Sequence, residues 1–204
     1  MSIEYWRKRW EDGETGWHRD DFNDKLIKFW PELKVDAGET VFVPLCGKSR
    51  DLIWLSEQGL SVIGNEASPE AVAEFQTEHG GNFPNFKILC QDFFSLTSSD
   101  LAEVSAWYDR AALVALPPKT RTEYFQHLAY ILPPNAKGLL LSFEFPQDES
   151  PGPPYSVSDG ELRSLCGKAF HCTLVEKEDL SDMTKYKERG LTQAMEAVYF
   201  LQKR

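Results

Sequence analysis

No stretch of the chain approaches the roughly 20 apolar residues in a row that cross a bilayer. The N-terminus, Met1 to Trp10, has no apolar segment behind its charges and does not read as a secretory signal. Together these absences predict a cytoplasmic protein with no membrane partner. Cysteine is scarce. The four, Cys46, Cys90, Cys166 and Cys172, form no CxxC pair, and a 204-residue chain is too large to need disulfide staples. Buried free thiols are expected. The four histidines, His18, His79, His127 and His171, lack metal-ligand spacing, so no metal is expected. His18 is the one that could serve otherwise. Basic residues are the minority, 22 against 32 acidic, and the net charge of −10 argues against nucleic-acid binding. Glycine is missing where nucleotide loops need it. Cys46-Gly47-Lys48-Ser49 resembles the end of a P-loop, but that motif needs a glycine at position 42, which is Phe. A dinucleotide turn needs three glycines, and only Gly47 is present. ATP, GTP and NAD chemistry fall away.

Hydrophobic residues make up 42% of the chain, enough for a buried core. Ile3 to Trp10 reads as a helix capped by Ser2, with Tyr5, Trp6 and Trp10 at helical spacing. These aromatics suit either a core face or, beside Arg7, Lys8 and Arg9, a lid. A second helix runs from about Asn23 to Trp30 and is closed by Pro31. No strand precedes position 36, so residues 1–35 are a helical lid segment on a core of residues 36–204, in one domain.

The core opens with strand Thr40 to Val43, helix Arg50 to Gln58 and strand Ser61 to Asn65. Ser68-Pro69 starts a helix that runs to about His79 and stops at Gly80-Gly81. Further strands are Phe86 to Cys90, Ala106 to Tyr108 and Gly138 to Phe145, with a helix from Thr120 to Leu132 closed by Pro133-Pro134. Ser158 caps a helix to Cys166. His171 to Glu176 and Ala194 to Leu201 are the last strands, with a charged linker over 177–189. Strands alternating with helices predict a doubly wound, mostly parallel seven-stranded α/β sheet. The last two strands, with no helix evident between them, predict an antiparallel pair at its edge. No surplus amphipathic helix is evident, so a monomer is expected.

In such sheets a nucleotide-like ligand lies across the carboxyl ends of the strands, and an acid about 20 residues past the first turn holds its ribose. Glu66 stands there. It is either an ordinary exposed acid or a carboxylate bonding two hydroxyls with its two oxygens. Asp92 ends the next strand and either sits near a base or caps local backbone. Arg110 ends the fourth strand on the same rim and could pair with a neighbouring acid.

These segments resemble the thiopurine S-methyltransferase family, bacterial type, of the class I S-adenosylmethionine-dependent methyltransferases with their Rossmann-like fold. The resemblance rests on Tyr5 to Trp10, Phe42 to Ser49 (FVPLCGKS), Gly64 to Ser68, Cys90 to Phe94, Tyr108 to Pro117 (YDRAALVALP) and Pro151 to Tyr155 (PGPPY). It implies S-adenosylmethionine as cofactor and S-adenosylhomocysteine as product. It implies cofactor contacts from Trp10, Leu45, Glu66 and Arg110, with Trp6, Trp17, Gly47, Asp92 and Phe93 lining the same site. It implies Arg110 where cofactor and acceptor meet, Tyr155 and Lys185 on the acceptor side, and a soft sulfur, selenium or tellurium nucleophile as acceptor. A thiolate needs no strong general base. Cys46 and Lys48 read as structural. The chain departs from the family in a short join over 80–85, in Asn65 where valine is common, and in Lys185 where arginine is expected.

Overall fold

The computed structural model describes residues 3–79 and 85–204. The expected cap at Ser2, the helix stop at Gly80-Gly81 and most of the short join lie outside the described residues. Helix α1 spans Ile3–Glu11. Helix α2, Asp24–Phe29, is capped by Asn23, whose Oδ1 accepts from the amides of Lys25 (2.9 Å) and Leu26 (3.1 Å). Pro31 does not close it. The chain tightens into a 3-10 turn over Trp30–Leu33 with Pro31 at its start, where a missing N–H costs nothing.

Strand β1 is Thr40–Val43, followed by α3, Asp51–Glu57, and β2, Ser61–Glu66. Helix α4 is Pro69–His79, with Ser68 Oγ accepting from the Ala71 amide (3.3 Å), and β3 is Phe86–Cys90. Strand β4, Val104–Arg110, leads into α5, Ala112–Ala115, a single turn, and α6, Pro118–Ile131. Strand β5, Lys137–Glu144, precedes α7, Asp159–Cys166, where Ser158 Oγ accepts from the Glu161 amide (3.2 Å). Strand β6 is Phe170–Asp179, α8 is Thr184–Lys187, and β7 is Met195–Lys203.

The seven strands form one sheet in the order β3-β2-β1-β4-β5-β7-β6. The first five run parallel, and β7 runs antiparallel to both β5 and β6. The antiparallel pair at the edge is thus present, with β6 outermost. Period-two alternation sends neighbours to opposite faces. Phe42, Trp107 and Leu140 face a core with Phe125 and Leu128 of α6 and Leu162 of α7. Val41, Ala106 and Leu139 face the other, with Leu26 and Phe29 of α2 and Leu52 and Leu55 of α3.

The N-terminal segment therefore divides. Helix α2 belongs to the second core. Asp51 takes the Asn23 amide on Oδ1 (2.8 Å) and the Tyr108 hydroxyl on Oδ2 (3.0 Å), a buried tie between α2, α3 and β4. Lys25 and Lys28 pair with Glu176 on β6, and Lys25 also with Glu178. Helix α1 lies over α4 instead, through Arg7 to Glu70 (3.0 Å). All four cysteines are free; Cys46 and Cys166 are buried, but Cys90 is exposed because β3 is an edge strand. No helix among the described residues is long and apolar enough to cross a membrane.

Candidate functional site

The parallel strands leave their carboxyl ends on one rim. The chain winds one way from β1 through β2 to β3 and the other way to β4 and β5, so the sheet reverses between β1 and β4. Ligands of open α/β sheets lie at that reversal. A cavity of about 1060 Å³ opens there, at the top of the range for small-molecule sites and roomy enough for two ligands.

Its floor begins at the turn after β1. Leu45 (φ 46°) and Gly47 (φ 53°) both take left-handed backbone. A non-glycine residue held there costs on the order of 1–3 kcal/mol, and such outliers concentrate at functional sites. The turn is fixed by two bonds. The Cys46 amide donates to the Asn65 carbonyl (2.8 Å), and the Gly47 amide donates to Glu66 Oε2 (2.9 Å). Glu66 is not an exposed acid. It is 8% exposed, and its Oε1 accepts from the Ser68 amide (2.8 Å). Burial raises its pKa, while amide bonds from Ser68, Gly47 and Ala67 pull it back. With three amides bound, the carboxylate keeps one further lone pair, and Glu66 lines the cavity.

Asn65 turns the other way. Its Nδ2 donates to the carbonyls of Leu89 (3.2 Å) and Gln91 (2.8 Å), which fixes the chain leaving β3. Asp92 then caps a 3-10 turn over Phe93–Ser95, accepting from the Phe94 amide (3.0 Å). So the local capping reading of Asp92 is met, and the same side chain also lines the cavity. Phe93 packs against Tyr124, ring centroids 4.8 Å apart.

The indoles form one cluster. Trp17 meets Trp6 edge-on at 5.3 Å and Trp10 at 5.6 Å, and the Arg9 guanidinium lies 5.0 Å from the Trp17 ring. Trp10 rests on the β1 turn so closely that a Cβ on Gly47 would come within 2.9 Å of its Cζ2. Trp6, Trp10 and Trp17 all line the cavity.

Arg110 and Lys185 reach the cavity from β4 and α8. Arg110 makes no hydrogen bond or ion pair among the described residues, so the pairing with a neighbouring acid that its position allowed is not formed. Its sequence neighbour Asp109 points inward, fully buried, and accepts from the Tyr124 hydroxyl (2.7 Å) and the Leu113 amide (3.1 Å). Burial pushes its carboxyl up to about 6.

Tyr155 is placed differently from the expectation. It does not line the cavity. Its ring lies across Gly152, where a Cβ would meet Cδ1 at 2.6 Å, and its amide donates to the Val114 carbonyl (2.6 Å). Side chains before it, Pro153 and Pro154, are the ones that reach the cavity. Arg121, unremarked in the sequence, anchors the same loop. It is fully buried and donates to the carbonyls of Leu116 and Ser156 (3.0 Å each) and to Glu161 (2.7 Å).

Cys46 and Lys48, read as structural, are held in place but both also line the cavity. Burial drives the Cys46 thiol well up, and Lys48 is held by Glu74 (2.9 Å) and Glu78 (2.6 Å) of α4. His18 lines the cavity, and burial, then the Lys48 charge, lower its pKa. Phe143, Tyr186 and Glu196 were missed. The one available signal was a carboxylate at the start of an otherwise apolar strand, Ala194 to Leu201.

The family model for thiopurine S-methyltransferase matches residues 1–204. The chain belongs to the thiopurine S-methyltransferase family. Proteins named thiopurine S-methyltransferase from Nitrosospira multiformis and Pseudomonas fluorescens are 45% and 40% identical to it. The first covers 100% of the chain and 99% of its own length, the second 98% of each. Among solved structures, a Burkholderia thailandensis 1,6-didemethyltoxoflavin-N1-methyltransferase with bound S-adenosylhomocysteine superposes with TM-score 0.67 at 18% identity, over 98% of this chain and 86% of that one. The YcgJ protein from Bacillus subtilis does so with TM-score 0.68 at 13% identity, over 88% and 98%. Both share the fold. This thiopurine S-methyltransferase family member is thus a methyltransferase that uses S-adenosylmethionine. The buried Glu66 carboxylate, with a lone pair left over at the rim of β2, fits a ribose hydroxyl.

Proposed function

We propose that the protein moves a methyl group from S-adenosylmethionine to the sulfur of a small aromatic thiol or thione, as the names of its relatives suggest. The single observation that carries this reading is the pairing of Glu66 and Arg110 across one cavity, an acceptor of hydroxyls on β2 and an uncommitted cation on β4. Glu66 binds the ribose. Leu45 and Gly47 seat the methionine portion, and Asp92 and Phe93 the adenine. Trp6, Trp10 and Trp17 close over the top and face the sulfonium, a cation–π contact worth about 0.5–2 kcal/mol. When bound, the cofactor supplies an electrophilic methyl on a positive sulfur. Arg110 and Lys185 hold a polarised or anionic acceptor in line with it, and Tyr155 keeps the Pro153-Pro154 wall in place. Orientation of this kind supplies up to roughly 7–11 kcal/mol. A selenium or tellurium nucleophile meets the same requirements. The protein works as a cytoplasmic monomer, one domain with α1 as its lid.

The test joins binding and turnover. S-adenosylhomocysteine at 100 times its Kd stabilises a folded state by about 2.7 kcal/mol, visible as a thermal shift. Glu66→Ala abolishes that shift. Arg110→Ala lowers kcat/KM for 6-mercaptopurine tenfold or more. No shift in the parent protein overturns the reading. A shift with no turnover on thiols, thiones or metalloid anions points to a non-catalytic binder, and turnover on nitrogen, oxygen or halide acceptors to another acceptor atom.

A further inference from the structure

The acceptor end of the cavity holds a carboxylate that the proposed methyl transfer does not yet use. Glu196 stands at the start of β7, and because β7 runs against the other strands, its start lies on the ligand rim. In register it pairs with Phe143 of β5, so the two side chains share a face. Phe143 stacks on Tyr186 at 5.1 Å and 28°. All three line the cavity, beside Arg110 and Lys185. Glu196 makes no hydrogen bond or ion pair among the described residues. The cations nearest in effect are Lys25, Lys185 and Arg110, and Lys25 is committed to Glu176 and Glu178. A half-buried acid facing an aromatic shelf, with no protein partner, is an acceptor waiting for a donor on the ligand.

Resting on the reading of the site as an S-methyltransferase, we propose that Glu196 accepts the ring N–H proton of a heteroaromatic thione as its sulfur is methylated. Such acceptors exist largely as N–H/C=S tautomers, whose sulfur becomes a good nucleophile as the proton leaves. The balance closes. The acceptor sulfur forms a bond to the methyl carbon while the methyl-to-sulfonium bond breaks, its electron pair staying on the cofactor sulfur. The N–H proton passes to a Glu196 oxygen, the N–H pair becomes the C=N bond, and the C=S π pair moves onto sulfur, leaving a C–S single bond as the sulfur takes the methyl. Sulfonium and carboxylate enter charged and both leave neutral, a charge cancellation favoured where water is excluded. Burial, which raises the Glu196 pKa against the pull of Lys25 and Lys185, makes the carboxylate a better base. Planar acceptors with N–H beside C=S are selected over simple aryl thiols, which arrive as thiolates and have no such proton to give.

Two acceptors separate the roles: 6-mercaptopurine, with a ring N–H, and benzenethiol, with none. Glu196→Gln keeps shape and removes the base. Its kcat/KM is expected to fall at least thirtyfold with 6-mercaptopurine and less than threefold with benzenethiol. Glu196→Asp, which keeps a carboxylate, is expected to recover part of the loss. A binding readout stands apart from turnover: 6-mercaptopurine titrated into the S-adenosylhomocysteine complex by tryptophan fluorescence should weaken at least fivefold in Glu196→Gln. An unchanged thermal shift with S-adenosylhomocysteine certifies the fold of each variant. Equal losses with both acceptors, or none with either, overturn the role of Glu196 and leave the S-methyltransferase reading intact. A parent protein silent on both acceptors overturns that reading first.

Discussion

Asp109 shows how one residue can work against stability for the sake of placement. Its carboxylate turns the chain from β4 into α5, the corner that presents Arg110 to the cavity. Full burial raises its pKa from an ordinary value to about 6, despite bonds from Tyr124, Leu113 and Ala112. The folded state then binds this proton more tightly than the unfolded chain, where aspartate titrates near 3.9. The cost of ionising it is absent below about pH 4, grows through about pH 6, and is complete above that. Asn at this position keeps an acceptor for the Leu113 amide without the charge. The stability of Asp109→Asn relative to the parent should therefore rise between about pH 4 and 6, with a slope of up to about 1.4 kcal/mol per pH unit, and level off above 7. Urea unfolding at intervals from pH 4.5 to 8 checks it. A difference that does not vary with pH would assign the titration elsewhere.

Among the elements, the turn after β1 binds α1 to the cavity floor. Gly47 has positive φ and no room for a Cβ beneath Trp10. Gly47→Ala should cost roughly 1–2 kcal/mol through backbone strain alone. The larger effect falls on α1. Trp10 must lift, so tryptophan emission should shift to the red and S-adenosylhomocysteine affinity should fall at least tenfold. Unchanged emission and affinity would mean that Trp10 does not rest on this turn in solution. Elements bounded by proline, glycine or a serine cap were legible in the sequence: β3 falls over Phe86–Cys90 as expected, and Ser68 and Ser158 cap as expected. Those that were not legible have physical reasons. Helices α5 and α8 have four residues each and no room for a periodicity. Strand β6 runs on to Asp179 through charged residues, because an edge strand paired on one side needs no apolar alternation there. Glu66 and the indoles that line the cavity could be found from local pattern. Glu196 could not, because its place on the rim depends on β7 running backwards between β5 and β6, a fact of topology.

At the scale of the molecule, that inserted strand holds the right half of the sheet together. Removing residues 195–204 takes away the shared partner of β5 and β6, and no other strand pairs with β6 among the described residues. The truncated protein should lose its single cooperative melt, and the measurement is circular dichroism against temperature. A sharp transition near that of the full chain would show that β5 and β6 can close on each other. The ties of α2 add a second long reach. Lys25 meets Glu176 and Glu178 across separations of 151 and 153 residues. A ribosome releases the chain from its N-terminus, so α2 leaves the exit tunnel long before its partners exist. Its apolar face, Leu26 and Phe29, can meet α3 and the early strands, but its lysines stay unanswered until the far end of β6 emerges. The last strand to be made then slides between two already written. Residues 24–29 and 176–178 must wait for each other, and a chain stalled before β7 carries every residue proposed for the cofactor yet has no finished sheet to hold them.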